Sequence, residues 1–241
     1  MVTIKNDIND TIGATNTGVT NTLTVDNASD TASSSALINV TVGGTSAGDA
    51  FETFTVAGTT NWSIGTDNSV TGDPFVIAAS TALGTTNVMS ALTTGEINYP
   101  LQPAFFTKLS ANPQDATGDG TAYTVAYDSE IFDQGGDLSG TTFTAPITGR
   151  YQLDCMVSAQ DYTSAMTTRL DYISTSNRNY QFLLRNPYAI MSVGTVQVAQ
   201  NGACLADMDA ADTAVVIFQV SGGTKTVDMN SATYFDGKLI C

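Results

Sequence analysis

The chain has 241 residues, with Lys+Arg 8 against Asp+Glu 23, a formal net charge of −15 and a sequence pI near 4.1. Nucleic-acid binding and polybasic attachment to a membrane surface both need a basic face, and this composition excludes them as primary roles. Histidine is absent, which removes Ser-His-Asp and Cys-His nucleophiles, His-bearing zinc sites and the usual general base near neutral pH, but not carboxylate-only glycoside hydrolysis.

Charged residues make up 13% of the chain, about half the ~25% of ordinary soluble domains. Thr, Ser, Asn and Gly take their place, so the polar surface is built from hydroxyls and amides. A hydrophobic content of 42% is too high for a disordered chain. No run approaches the ~18 apolar residues of a membrane helix, so no membrane insertion is expected. The opening Met1–Gly13 has no apolar core of the secretory kind, which predicts synthesis in a cytoplasm without a signal peptide. Cys155, Cys204 and Cys241 are odd in number and lack a C-x-x-C spacing, so no disulfide framework is expected.

In chain order the sequence reads as strands and turns. Short β-type runs appear at Thr22–Val25, Leu37–Val42, Phe51–Val56 and Asn61–Ile64. Turn signals separate them at Gly43-Gly44, Ala57-Gly58, Thr66–Ser69 and Gly72-Asp73-Pro74. Thr fills the polar slots, where its stiff branched Cβ suits a pleated surface. Trp62 is expected to anchor packing, with a role as a binding aromatic as the alternative. Residues 1–107 hold one basic residue against nine acidic ones, and few large apolar side chains. A slender segment of this kind fills its interior most easily by assembling with copies of itself. Tyr99-Pro-Leu-Gln-Pro103 then interrupts any central strand. The boundaries set by this reading are a β-rich stalk or attachment segment over 1–100, a Pro-containing linker over 101–107 and a head over 108–241.

The head alternates more densely. Tyr151–Val157 places Tyr, Leu, Cys and Val against Gln, Asp and Met. Ala214–Val220 is the more continuous run of a strand buried on both faces. Ser221-Gly222-Gly223 predicts a hairpin into Thr224–Met229, and Phe235 with Leu239-Ile240 closes the chain. Seven to nine short antiparallel strands in this length predict an all-β jelly-roll sandwich.

Two stretches of the head carry a resemblance. Phe143-Thr-Ala-Pro-Ile-Thr-Gly-Arg-Tyr151 presents Phe143, Pro146, Gly149 and Tyr151, and Thr233–Ile240 presents Phe235, Gly237 and Leu239. In this order they resemble the globular head of complement 1q, a jelly-roll family similar in fold to tumour necrosis factor. Leu153 and Cys155 stand where that family usually has aromatics. The first half is similar, more loosely, to bacteriophage tail-fibre segments at Gly43–Asp49, Trp62–Ser69, Asp73–Ile77 and Thr93–Glu96. The combination resembles a phage fibre, which implies a homotrimer with knobs packed about a threefold axis.

The stretch Asp161–Tyr188 mixes tyrosines with arginines around the turn Thr175–Asn179. Tyr, Arg and Asn supply rigid area, forked donors and adaptable amides, and Tyr162, Asn177, Arg178, Asn179 and Tyr188 are the receptor candidates. The alternative is that alternate tyrosines of two strands are core and that the arginines pair with the excess acid on a neighbouring subunit. The clusters Asp115–Gly120, Asp128–Glu130 and Asp207–Asp212 read as solvated turn acids, none with EF-hand spacing. Asp207, Asp209 and Asp212 are the candidates should calcium bind, and no other cofactor is expected. The sequence thus predicts a non-enzymatic structural virion fibre of a bacteriophage, trimeric, whose knob attaches to a host-surface glycan or protein. Its other partners would be further virion proteins. The alternatives are a capsid-decoration protein using the same knob, a carbohydrate-cleaving tailspike, and a bacterial extracellular adhesin.

Overall fold

The computed structural model describes residues 24–59, 61–190 and 197–241. Five strands come first: β1 (Ala50–Thr55), β2 (Asn61–Thr66), β3 (Phe75–Ala78), β4 (Asn87–Ala91) and β5 (Ile97–Asn98). They pair antiparallel in chain order as a five-stranded meander. One face is covered by the turn after β3, which brings Leu83 onto Val76 and Ala78, with Phe51 alongside. Ser63 on β2 is buried under the same turn and donates to Ser80 O at 2.7 Å.

Twelve strands follow: β6 (Ala104–Lys108), β7 (Ala122–Thr124), β8 (Ser129–Asp133), β9 (Leu138–Ser139), β10 (Thr142–Thr144), β11 (Gly149–Gln160), β12 (Thr168–Thr175), β13 (Asn179–Arg185), β14 (Val198–Met208), β15 (Thr213–Ser221), β16 (Asp228–Met229) and β17 (Tyr234–Leu239). They form two six-stranded antiparallel sheets. One runs β13-β12-β15-β10-β9 with β7 added to β15; the other runs β14-β11-β17-β6-β8 with β16 added to β11. The chain crosses between the sheets at every connection except β9–β10, β12–β13 and β16–β17. This path is the expected jelly roll. The single helical element among the described residues is a 3₁₀ turn at Tyr188–Ile190. No helix among them is long and apolar enough to cross a membrane.

Alternation builds the core. Tyr151, Leu153, Cys155 and Val157 of β11 point inward and meet Ala214, Val216, Phe218 and Val220 of β15. Phe105 of β6 stacks on Phe143 of β10 across the two sheets, with centroids 4.6 Å apart. Phe235 meets Phe105 edge-on at 5.0 Å, and Tyr151 lies 5.4 Å from Phe143. Such aromatic pairs add about 0.5–1.5 kcal/mol each beyond the area they bury.

Inside this apolar sandwich sits one ion pair. Arg169 of β12 is 1% exposed, and its Nη2 donates to Asp171 Oδ2 at 2.7 Å. The guanidinium also donates to Tyr162 Oη at 2.7 Å, to Val157 O at 2.8 Å on β11 and to Val198 O at 3.1 Å on β14. Its carbon lies 5.2 Å from the Phe218 ring centroid. One side chain therefore ties β12 to two strands of the opposite sheet. Burial raises the Asp171 carboxyl above the ordinary carboxylate range, and Arg169 works against that rise.

Several expected elements differ. Leu37–Val42 is not a strand: among the described residues no strand pairs with it, and Leu37 and Ile38 are 72% and 62% exposed. For the run predicted at Thr22–Val25, Thr22 and Leu23 lie outside the described residues, and Thr24 and Val25 are not in a strand. The turn at Ser221-Gly-Gly223 forms, with Gly222 at φ +98°, but no hairpin follows. The chain instead crosses over, bridging Thr117 at Val227 and adding β16 to β11. β6 falls within the linker expected over 101–107 and pairs with β17 from Ala104 to Lys108.

Two measurements check this interior. Arg169→Met leaves the Asp171 carboxylate buried without its partner and lowers stability by about 3–5 kcal/mol, whereas Arg169→Met with Asp171→Leu recovers most of it; equal melting of the single variant and the parent would refute the pair's burial. Alkylation of the native protein modifies one thiol per chain, Cys241. Cys155 is buried, with its thiol pushed far up by desolvation, and half-burial pushes Cys204 up to about 11.

Candidate functional site

Because the inward positions of β11 are fixed by the core, its Gln152, Asp154 and Met156 face outward. Register extends these positions into rows across the whole sheet. One row runs Ala203, Asp154, Asp236, Phe106, Phe132; the next runs Asn201, Met156, Tyr234, Lys108, Ser129. Phe106 stacks on Tyr234 at 5.5 Å and on Phe132 at 6.4 Å, both at 23°. Phe132 is 50% exposed and Leu205, also outward, is 54% exposed. The result is an aromatic and thioether ribbon along the open face of one sheet.

Charge is organised about that ribbon. Lys108, Arg150 and Lys238 are exposed on this face. Among the described residues the one ion pair within 4.0 Å is the buried Arg169–Asp171, so these three cations meet no described carboxylate at that distance. At the centre Asp154 and Asp236 are direct cross-strand partners. Gln152 Nε2 donates to both Asp154 oxygens at 3.2 Å. Partial burial, and then the Asp154 charge, raise the Asp236 carboxyl to about 6, with Lys238 acting in the opposite direction. Like charges on directly opposed positions destabilise a sheet, so covering this face favours a proton or a cation on the pair.

The motif residues serve packing. Phe143, Tyr151 and Phe235 are core; Tyr151 Oη donates to Ile147 O at 2.7 Å and pins the turn that carries the exposed Pro146. Gly149 opens β11 and Leu239 packs on the core's margin. Gly237 is required by close approach: a Cβ there would lie 2.7 Å from both Leu153 Cδ2 and Phe105 Cε1.

The receptor candidates occupy three separate places. Tyr162 is 8% exposed and accepts a hydrogen bond from Arg169, so its hydroxyl is committed inside the sandwich. Asn177, Arg178 and Asn179 form the exposed β12–β13 turn. Asn179 Oδ1 accepts from Ser174 Oγ at 2.8 Å, and Asn177 donates to Asp212 Oδ2. Tyr188, 46% exposed, lies beyond the other end of the seven-residue β13, roughly 20 Å away at ~3.3 Å per residue. The acid candidates also separate. Asp207 stands opposite Arg150 in the β14–β11 register on the outward face, whereas Asp209 and Asp212 lie in the β14–β15 turn. The Asp212 carboxylate accepts from Ser176 Oγ at 2.9 Å and from Asp209 N at 2.8 Å, so it already joins two adjacent turns. Among the described residues no three His, Cys, Asp or Glu side chains converge to hold a metal ion.

The outward ribbon and the Asp154–Asp236 pair do not announce themselves in the sequence. They are the polar slots of ordinary alternation, and cross-strand register, which sequence does not supply, makes them neighbours. Arg169 lay in the stretch expected to serve recognition, yet it shares the interior face with Asp171, Ile173 and Thr175. That period of two was its available signal.

No family model matches the chain, and no curated protein matches it in sequence. Among solved structures it is similar to the globular domain of zebrafish complement 1qA protein, at 17% identity and a TM-score of 0.41, over 58% of this chain and 98% of that one. It is also similar to murine APRIL at pH 8.0, at 13% identity and a TM-score of 0.40, over 58% of this chain and 99% of that one.

Asp236→Asn tests the electrostatics of the face. The raised carboxyl makes the folded state hold an extra proton between about pH 4 and pH 6, so wild-type stability falls as pH rises through 6. The variant is therefore expected to be more stable at pH 7–8, by about 1–2 kcal/mol after allowance for solvent screening of this half-exposed group, with no gain below pH 4. Equal melting temperatures across that range would contradict the assignment.

Proposed function

We propose that this chain is a non-catalytic structural protein that works as a homotrimer through the outward face of β14-β11-β17-β6-β8. The observation that carries the reading is the Met156–Tyr234–Phe106–Phe132 ribbon, flanked by Lys108, Arg150 and Lys238, none of which meets a described carboxylate within 4.0 Å, in a chain of net charge −15. A second copy offers such a face both apolar area and carboxylates, since each copy carries cations and acids on the same surface. A face that carries cations, acids and apolar area meets a neighbouring copy head to tail, and such heterologous contacts close into rings; three copies is the number that the sequence resemblance implies.

Within that frame the finer reading is a bacteriophage virion fibre. The Thr/Ser/Asn-rich first half serves as stalk or attachment segment, and the jelly-roll head is projected from the particle. The exposed turn Asn177–Asn179, with Arg178 at its tip, is the attachment element in this reading, its partner a host-surface glycan or protein. A capsid-decoration role uses the same head without the receptor step.

Light scattering on the full chain should give about three times 25.1 kDa, and Phe106→Asp with Phe132→Asp should reduce it to one chain while the buried thiols stay protected. A wild-type monomer would refute the assembly. Loss of host-cell binding in Arg178→Ala, with the mass unchanged, supports attachment through the turn; imaging that places the chain on the capsid shell, with host binding unaffected, favours decoration.

A further inference from the structure

The five-stranded sheet β1–β5 has a second face that the described chain borders along one margin and otherwise leaves open. Register places Phe54 beside Trp62, then Glu52, Ile64, Ile77 and Met89 in one row, and Thr66, Phe75, Ala91 and Ile97 in the next. Phe54 is 57% exposed, Trp62 41%, Phe75 45% and Ile97 56%. Beside it runs the extended segment 37–42, with Ile38 and Val40 forming one wall of a cleft of about 380 Å³ whose opposite wall includes Ile64 and Phe75. An apolar face of this extent is an interaction surface.

Its charge selects the occupant. Residues 24–103 contain seven acids and no lysine or arginine. Of those acids Glu52, exposed on the edge strand β1, is the one in these rows, with Asp73 at their margin beside Thr66 and Asp67 buried. Within this segment, like-charged copies therefore meet with least repulsion at these rows. Area sets the strength. Five strands at ~4.8 Å and up to six residues at ~3.3 Å give on the order of 400 Å², against the ~800 Å² per partner of a stable standard interface. The face is too small to hold free chains together, but sufficient for chains already tethered, where the effective concentration reaches about the millimolar range.

We propose that the open face of β1–β5 is a second self-association surface, which seats the same face of neighbouring copies about the axis they share through the head. It rests on the self-association of the head for the tether. Three such sheets turned inward enclose Trp62, Ile64, Phe75 and Ile77 in a common interior, and supply the burial that one copy of this segment lacks.

Trp62 is the single tryptophan of the chain, so its emission reports on this face alone. The full-length protein is examined by light scattering and by acrylamide quenching on the same samples. In the assembled wild type, Trp62 emission is expected at shorter wavelength and its quenching to be several-fold weaker than in Phe75→Glu with Ile97→Glu. Both of those side chains are about half-exposed, so the covered core of the sheet is undisturbed. The variant is expected to keep the assembled mass. Dilution of the wild type should raise quenching in step with the loss of mass, a readout that needs no variant. Strong Trp62 quenching in an assembled wild type overturns the second surface and leaves the head's assembly standing. A wild type that is monomeric throughout overturns both.

Discussion

The Phe105–Phe143 stack is the contact on which the head depends. It is the point where β6 of one sheet meets β10 of the other, and Phe235 and Tyr151 close around it. A jelly roll has no helix to seal its layers, so aromatic area at mid-sandwich must hold the sheets at packing distance. Gly237 is the counterpart of this stack, because its missing side chain is the space into which Leu153 and the Phe105 ring press. With those inward positions set, every outward one follows, including Asp154, Asp236 and the ribbon beside them.

What was legible in the sequence follows the same logic. Tyr151–Val157 shows strict alternation because a strand with one core face imposes it, and the two glycine-aromatic motifs mark packing that tolerates little substitution. Leu37–Val42 shows a similar pattern and is not a strand, because a strand requires a neighbour and the described residues supply none. Thr224–Met229 follows a clear turn signal, yet Gly222 directs the chain across to β11. Turn chemistry fixes a local direction but not a pairing partner. Tyr162 reads as a recognition residue on composition alone, and Arg169 lies in the same stretch. The structure buries both because one guanidinium, satisfied by a carboxylate, a phenol and two carbonyls, can lie within an apolar sandwich.

Low charge density gives each remaining charge more weight. The exposed cations of the head gather largely on one face, and the first sheet has none. Hydroxyl-bearing strands are inexpensive to desolvate compared with ionic ones, so both open faces can be covered without stranding many ions. Asp154–Asp236 is the exception, and it makes the covered state of the head sensitive to protons in a range where few other groups of this histidine-free chain respond.

The position of β17 has a kinetic consequence. It lies between β11 and β6, so its seam with β6, from Tyr234 opposite Lys108 to Lys238 opposite Ala104, joins segments far apart in the sequence. Loop closure over such spans precedes any reward from pairing, which places jelly rolls among slow-folding topologies. During synthesis β6 emerges early and waits, its edge and Phe105 exposed, until the last strand arrives to zip in beside it. Maturation of the head is therefore a single late event, and a truncated copy without that strand lacks the middle of the surface through which it would join the others.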